Sequence, residues 1–182
     1  MSDADVATMS ARIRSRALEL FLERGVDATP LRAIATGLDV TKAALYYHYP
    51  SKDELLRSLV NPLLDELGAV LLEHEDSPTS PAALLRSLAG VRIRHADELV
   101  LLGDPAVRRM ERLTARLSEL HERSITAVLH AAGLADTQRA HAEGALGALD
   151  TLTRLPASQR PPPDNAAAMA AVLLDPATTG NP

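Results

Sequence analysis

Lys42, Tyr46, Tyr47, His48 and Lys52 bring two cations, two phenol rings and an imidazole into one short stretch of chain. Lys42 and Lys52 are the only lysines in the sequence, and every tyrosine falls between residues 46 and 49. Side chains of these types hold phosphate oxygens and reach base edges, so the chemistry this stretch suits is contact with nucleic acid. Catalysis lacks its parts. The absence of cysteine excludes disulfides and thiolate metal sites. His74, His95, His121, His130 and His141 are scattered, with no His-x-x-x-His pair, and His121-Glu122 has no second histidine four residues after the first. No Gly-rich phosphate loop and no Gly-x-Ser-x-Gly elbow occurs. Neither an enzyme, nor a metal, nor a cofactor is expected.

The elements that must position the cluster are legible around it. Thr29 suits an N-cap and Pro30 the first helical position, where a missing N–H costs nothing. Leu31, Ile34, Ala35 and Leu38 then share one face at helical spacing. Asp39 stands where the chain must turn sharply, and Asp tolerates the left-handed conformation better than most residues. Thr41 can cap a second helix whose inner face is Ala44 and Leu45. Pro50 ends it, and Ser51 with Glu54 forms a capping-box pattern for the next helix. Two short helices joined by a tight turn, the second rich in Lys, Tyr and His, is the layout of a helix-turn-helix. Its second helix enters the major groove of double-stranded DNA.

At these residues the chain resembles the DNA-binding domain of the tetracycline-repressor (TetR) family. The resemblance runs through Leu20-Phe21 and Gly25, Thr29, Ile34-Ala35, Val40-Thr41, Leu45-Tyr46-Tyr47-His48-Tyr49, and Lys52 before Leu55, roughly the first third of the chain. Asp39 replaces the family's usual turn glycine, Val26 a usual aromatic, and Pro30 a second threonine. The resemblance implies that Arg32, Thr41, Lys42, Ala43, Ala44, Tyr46, Tyr47 and His48 face DNA. Lys42 suits a guanine edge or a phosphate, and Ala43 and Ala44 a thymine methyl. Thr29, Tyr46 and Lys52 suit phosphates. Tyr49 reads as a core anchor.

Composition bounds the rest. The chain has 182 residues and a net charge of −5. Residues 1–57 are electrically balanced, so the excess of acid falls wholly in residues 58–182. Bulk electrostatics therefore does not argue for DNA, but Lys42, Lys52 and the Arg12, Arg14, Arg16 cluster predict a local positive face and salt-dependent binding. Ala, Leu and Arg dominate and no strand-period run appears, so the expected fold is all-α. It consists of an N-terminal three-helix DNA-binding domain over residues 1–51, with a flexible tail over 1–7, and a helical regulatory and dimerisation domain over 52–182. Helices are expected from about Thr8 to Arg24, Lys52 to His74, Pro81 to His95, Pro105 to Ala132, Asp136 or Thr137 to Leu155, and Asp164 to Leu174. No apolar run reaches membrane-spanning length and the first residues are acidic, so a cytoplasmic location is expected.

A recognition helix of about seven residues reads few bases alone, so two-fold pairing is expected. TetR-like proteins pair through their last long helices. That places Leu117, Ile125, Val128, Leu129, Leu146, Leu149 and Leu152 in a homodimer interface. The resemblance also implies a small-molecule effector. All four aromatic residues (Phe21, Tyr46, Tyr47, Tyr49) precede residue 50, so its pocket must be aliphatic. Arg92, Arg94, His95 and Arg109 are the candidate polar handles there; as ordinary residues they would be solvated or ion-paired. The expected function is a homodimeric repressor released from a palindromic operator by its effector. The alternatives are an activator or ligand-independent regulator, and a helical interaction module with a vestigial DNA head.

Overall fold

A computed structural model describes residues 3–38, 40–75 and 80–175. Among these residues the chain is helical, with no strand. The helices are α1 (Asp3–Arg24), α2 (Leu31–Leu38), α3 (Lys42–His48), α4 (Lys52–Glu75), α5 (Pro81–Arg94), α6 (Ala96–Leu101), α7 (Pro105–Arg108), α8 (Glu111–Ala132), α9 (Arg139–Thr153) and α10 (Pro163–Ala171). Short 3₁₀ turns cover Asp136–Gln138, Ala157–Gln159 and Val172–Leu174. No described helix is long and apolar enough to cross a membrane.

The chain folds as two compact units, Met1–Pro62 with Asp97–Ala115, and Leu63–Ala96 with Arg116–Pro182. The division differs from the expected break after residue 51. Residues 52–62 bury Leu55, Leu56, Leu59 and Val60, so the first turns of α4 are core of the first unit rather than a linker to the second.

In the first unit α1 packs on α2 and α3, with Ile13, Ala17, Leu20, Phe21, Ile34 and Leu45 buried among them. Gly25 ends α1 with φ +81°, a left-handed conformation that glycine adopts without the Cβ penalty, and its N–H returns to Phe21 O at 2.9 Å. At Gly37 the Arg16 side chain of α1 lies against the backbone of α2: a Cβ there would lie 2.7 Å from Arg16 Nε. Thr41 caps α3, its Oγ1 accepting from Ala44 N at 3.1 Å, and Ser51 Oγ accepts from Glu54 N at 3.1 Å at the start of α4.

In the second unit α5 packs on α10 and α9. Small residues on the facing helices (Ala142, Ala145, Ala166, Ala167 and Ala170) are buried with Leu84, Leu85 and Leu88. Alanines in those positions let helix axes approach closely. Gly133, φ +64°, closes α8. Leu134 N donates to Leu129 O at 2.9 Å and Gly133 N to His130 O at 3.1 Å, which together satisfy the last carbonyls of the helix.

Several expectations need correction. Helix α1 begins at Asp3, so residues 3–7 are helical, and only residues 1–2 of the expected tail lie outside the described residues. Asp39, expected in the turn, also lies outside them. The stretch 105–132 is two helices: Asp104 caps the short α7, and the chain restarts at Glu111 after Arg109 and Met110. The last helix gives way to a 3₁₀ turn at Val172. Of the residues expected at a dimer interface, Ile125, Val128, Leu129, Leu146 and Leu149 are buried within the chain itself. Leu117 and Leu152 are partly exposed. A helical apolar stripe marks what is buried, not whether the covering helix belongs to the same chain.

Candidate nucleic-acid interface

The residues expected to face DNA separate into an outer and an inner set. Lys42, Ala43, Tyr46 and Tyr47 form the outer face of α3, and Tyr47 is 73% exposed. Lys42 Nζ lies 5.4 Å from the centre of the Tyr46 ring, within cation–π range, which holds the ammonium along the helix. Tyr47 meets the His48 ring edge to face, with centroids 5.4 Å apart and planes at 84°. Arg32 on α2 and Thr41 are exposed as well, while Ala44 is half-buried. No acid occurs in α3, so its outer face carries Lys42 without a compensating charge on the same helix.

The inner set is used within the fold. His48 Nδ1 lies 3.0 Å from Ser10 Oγ, and Tyr49 Oη donates to Ser10 O at 3.5 Å. These two contacts fasten α3 to α1; the sequence offered no signal for Ser10. Thr29 is 1% exposed, and its Oγ1 reaches Leu20 O at 3.2 Å and Gly25 O at 2.9 Å. It ties back to α1 instead of capping α2 or reaching a phosphate. Lys52 Nζ donates to Val26 O at 2.8 Å, which spends one of its three hydrogens inside the fold.

The turn between α1 and α2 is held from the far end of the same unit. Asp104 Oδ2 accepts from Val26 N at 3.0 Å while its Oδ1 accepts from Ala106 N at 2.8 Å, so one carboxylate caps α7 and grips the turn. Arg109 Nη2 donates to both carboxylate oxygens of Asp27, at 3.0 and 2.8 Å. The Val26 peptide thus has its N–H on Asp104 and its C=O on Lys52.

Each of the expected ligand handles faces an acid within its own unit. In the second unit Arg92 is buried and its Nε donates to Asp150 Oδ1 at 3.0 Å. Arg94 Nη2 donates to Glu66 Oε2 at 2.7 Å and His95 Nε2 lies 3.0 Å from Glu66 Oε1. The hydrogen bond from Arg94, then that from His95, holds the Glu66 carboxyl below its ordinary range. Arg109 belongs to the other unit. The physical reading is four residues engaged with three different acids.

Comparison with known proteins agrees with this geometry. Residues 13–59 match the family described as bacterial regulatory proteins, tetR family. The HTH-type transcriptional repressor KstR2 of Mycobacterium tuberculosis is 38% identical over 72 residues, which is 40% of this chain and 36% of that one. IcaR of Staphylococcus epidermidis, the negative transcriptional regulator of the biofilm operon icaADBC, is 35% identical over 80 residues, 44% of this chain and 43% of that one. The match therefore spans less than half the length of these relatives. Over its full length the chain shares the fold of a TetR-like transcriptional regulator from Rhodococcus sp. RHA1, with a TM-score of 0.73, 22% identity and 100% of both chains covered. Matched in sequence over residues 13–59 and in fold over its whole length, the chain carries a DNA-binding segment similar to that of the tetR family within a fold shared with TetR-like transcriptional regulators.

Proposed function

We propose that the chain is a homodimeric repressor that inserts α3 into successive major grooves of a palindromic operator and leaves it when a small effector binds. The observation that carries the DNA reading is the outer face of α3, where Lys42 and Tyr47 project with no acid on the helix. In this reading Lys42 and Ala43 meet base edges, and Arg32, Thr41 and Tyr46 meet backbone phosphates. His48, held to Ser10, sets the direction of Tyr47. Repression is supported by two relatives, KstR2, named as a repressor, and IcaR, named as a negative regulator.

Pairing is supported by what α9 and α10 leave uncovered. Gly144 and Gly147 are exposed on α9, and a Cβ at Gly147 would meet nothing within 4 Å. Met169 on α10 and Val172 just beyond it are large apolar side chains more than half exposed. A second copy would cover this small, apolar face, and two-fold symmetry would then present two recognition helices.

Selection of bound sequences from a random duplex pool tests the reading. An enriched inverted repeat, lost at high salt, is the expected result. Enrichment of a single half-site overturns the dimer, and no enrichment at low salt overturns operator binding.

A further inference from the structure

The second unit holds a cavity of about 420 Å³ between the C-terminal end of α4, the start of α5 and the C-terminal half of α8. That is within the range of small-molecule sites, and none of the expected handles lines it. Its apolar wall is Leu84, Ala127 and Ala131. No Phe, Tyr or Trp follows Tyr49 in the chain, so the wall offers methyl and methylene surface, and the only rings on it are the imidazoles of His74 and His130.

The arginine and the two carboxylates that line it are already matched. Arg123 Nη2 donates to Glu75 Oε1 at 2.9 Å, and Arg139 Nη2 donates to Glu122 Oε1 at 2.8 Å. An anionic ligand would compete with Glu75 for Arg123, and a cationic one would arrive at carboxylates that have their counter-ions. A neutral ligand enters without breaking either pair. One polar group is fixed in its role: His74 Nδ1 lies 2.8 Å from Val70 O. A carbonyl oxygen only accepts, so Nδ1 carries the hydrogen of the neutral ring, and Nε2 holds the lone pair. Thr126, also at the cavity, spends its hydroxyl hydrogen on Glu122 O at 3.1 Å.

We infer that this cavity binds an uncharged aliphatic molecule bearing a hydroxyl group that donates to His74 Nε2. The inference rests on the effector reading above only for its consequence at DNA; the binding itself is measured separately. Calorimetry on the full chain uses 1-octanol, octanoate, octylammonium and 1-methoxyoctane as probes. One octanol per protomer is expected, with both charged probes and the ether, which accepts but does not donate, at least about tenfold weaker. Ala127→Leu, which narrows the wall without touching His74, should abolish octanol binding, and His74→Phe should weaken it about tenfold. The inference is overturned if no probe binds, if either charged probe or the ether matches octanol, or if Ala127→Leu leaves octanol binding unchanged. Octanol that binds as expected but leaves operator affinity unaltered supports the cavity's ligand class and counts against effector release instead.

Discussion

The two units use their cations differently. In the second unit Arg86, Arg92, Arg94, Arg116, Arg123 and Arg139 each face an acid of the same unit. In the first unit, among the described residues, Lys42, Arg32 and Arg12 have no ion-pair partner, although the sequence over residues 1–57 is electrically balanced. The balance is one of composition and not of position. Acids of the first unit are engaged elsewhere: Asp27 with Arg109, Glu19 with Arg16, and Asp104 with two backbone N–H groups. A surface with positive charges that lack internal partners is ready for an external anion, while one whose cations are mostly matched can admit a neutral guest. Net charge, which is acidic here, conceals that contrast.

The comparison breaks most readily at α3. Lys42→Ala and Tyr47→Ala should each weaken operator binding about ten- to a hundredfold in a gel-shift titration. The Lys42 variant should also lower the slope of log affinity against log salt by about one, with helix content unchanged. If Lys42→Ala leaves both affinity and slope alone, its charge is not available in the way described. Asp104→Ala comes next, because it removes the α7 cap and the acceptor for Val26 N together. A loss of about 1–3 kcal/mol in urea unfolding is expected. Thr29→Val is isosteric and leaves two carbonyls without their donor, so it should cost about 1–2 kcal/mol while the folded protein keeps its operator affinity. A selective loss of DNA binding would instead return Thr29 to the interface.

Two smaller effects sharpen the contrast. Lys52→Met should leave the salt slope unchanged, on the reading that the bond to Val26 O holds Nζ within the fold. A slope reduced by about one would show that Lys52 reaches the DNA. Glu66 gives the least change, because its carboxylate is substantially exposed. Its folded carboxyl is more acidic than the unfolded one. The stability it adds is therefore present above the unfolded value, about 4.5, and disappears as the pH falls through the lowered one. The gap in melting temperature between the parent and Glu66→Gln should accordingly be present at neutral pH and close in acid.

Much of the first unit was legible because its signals are local. The Thr41 cap, the Ser51–Glu54 hydrogen bond and the buried face of Leu31, Ile34 and Ala35 involve residues a few positions apart, where spacing alone decides who meets whom. Exposure of Lys42 and Tyr47 follows from the same periodicity. The inward turn of Thr29 and Lys52 was not legible, since both side chains can serve either a phosphate or a carbonyl, and the choice depends on where Leu20, Gly25 and Val26 lie. Contacts from Asp104 and Arg109 to the α1–α2 turn join residues about eighty positions apart and leave no periodic trace. The ion pairs of the expected ligand handles were hidden for a related reason: the sequence located the cations but could not show which acids would reach them.

The carboxylate of Asp104 has a consequence for modularity. The stretch that the family model matches, residues 13–59, is continuous, yet the unit that carries it is completed by residues 97–115. A recognition head transplanted as a single piece would arrive with the Val26 amide uncapped and Asp27 without its arginine. Exchange of DNA specificity between relatives must therefore move two segments together, or find a host that already supplies an acceptor and a guanidinium in those places.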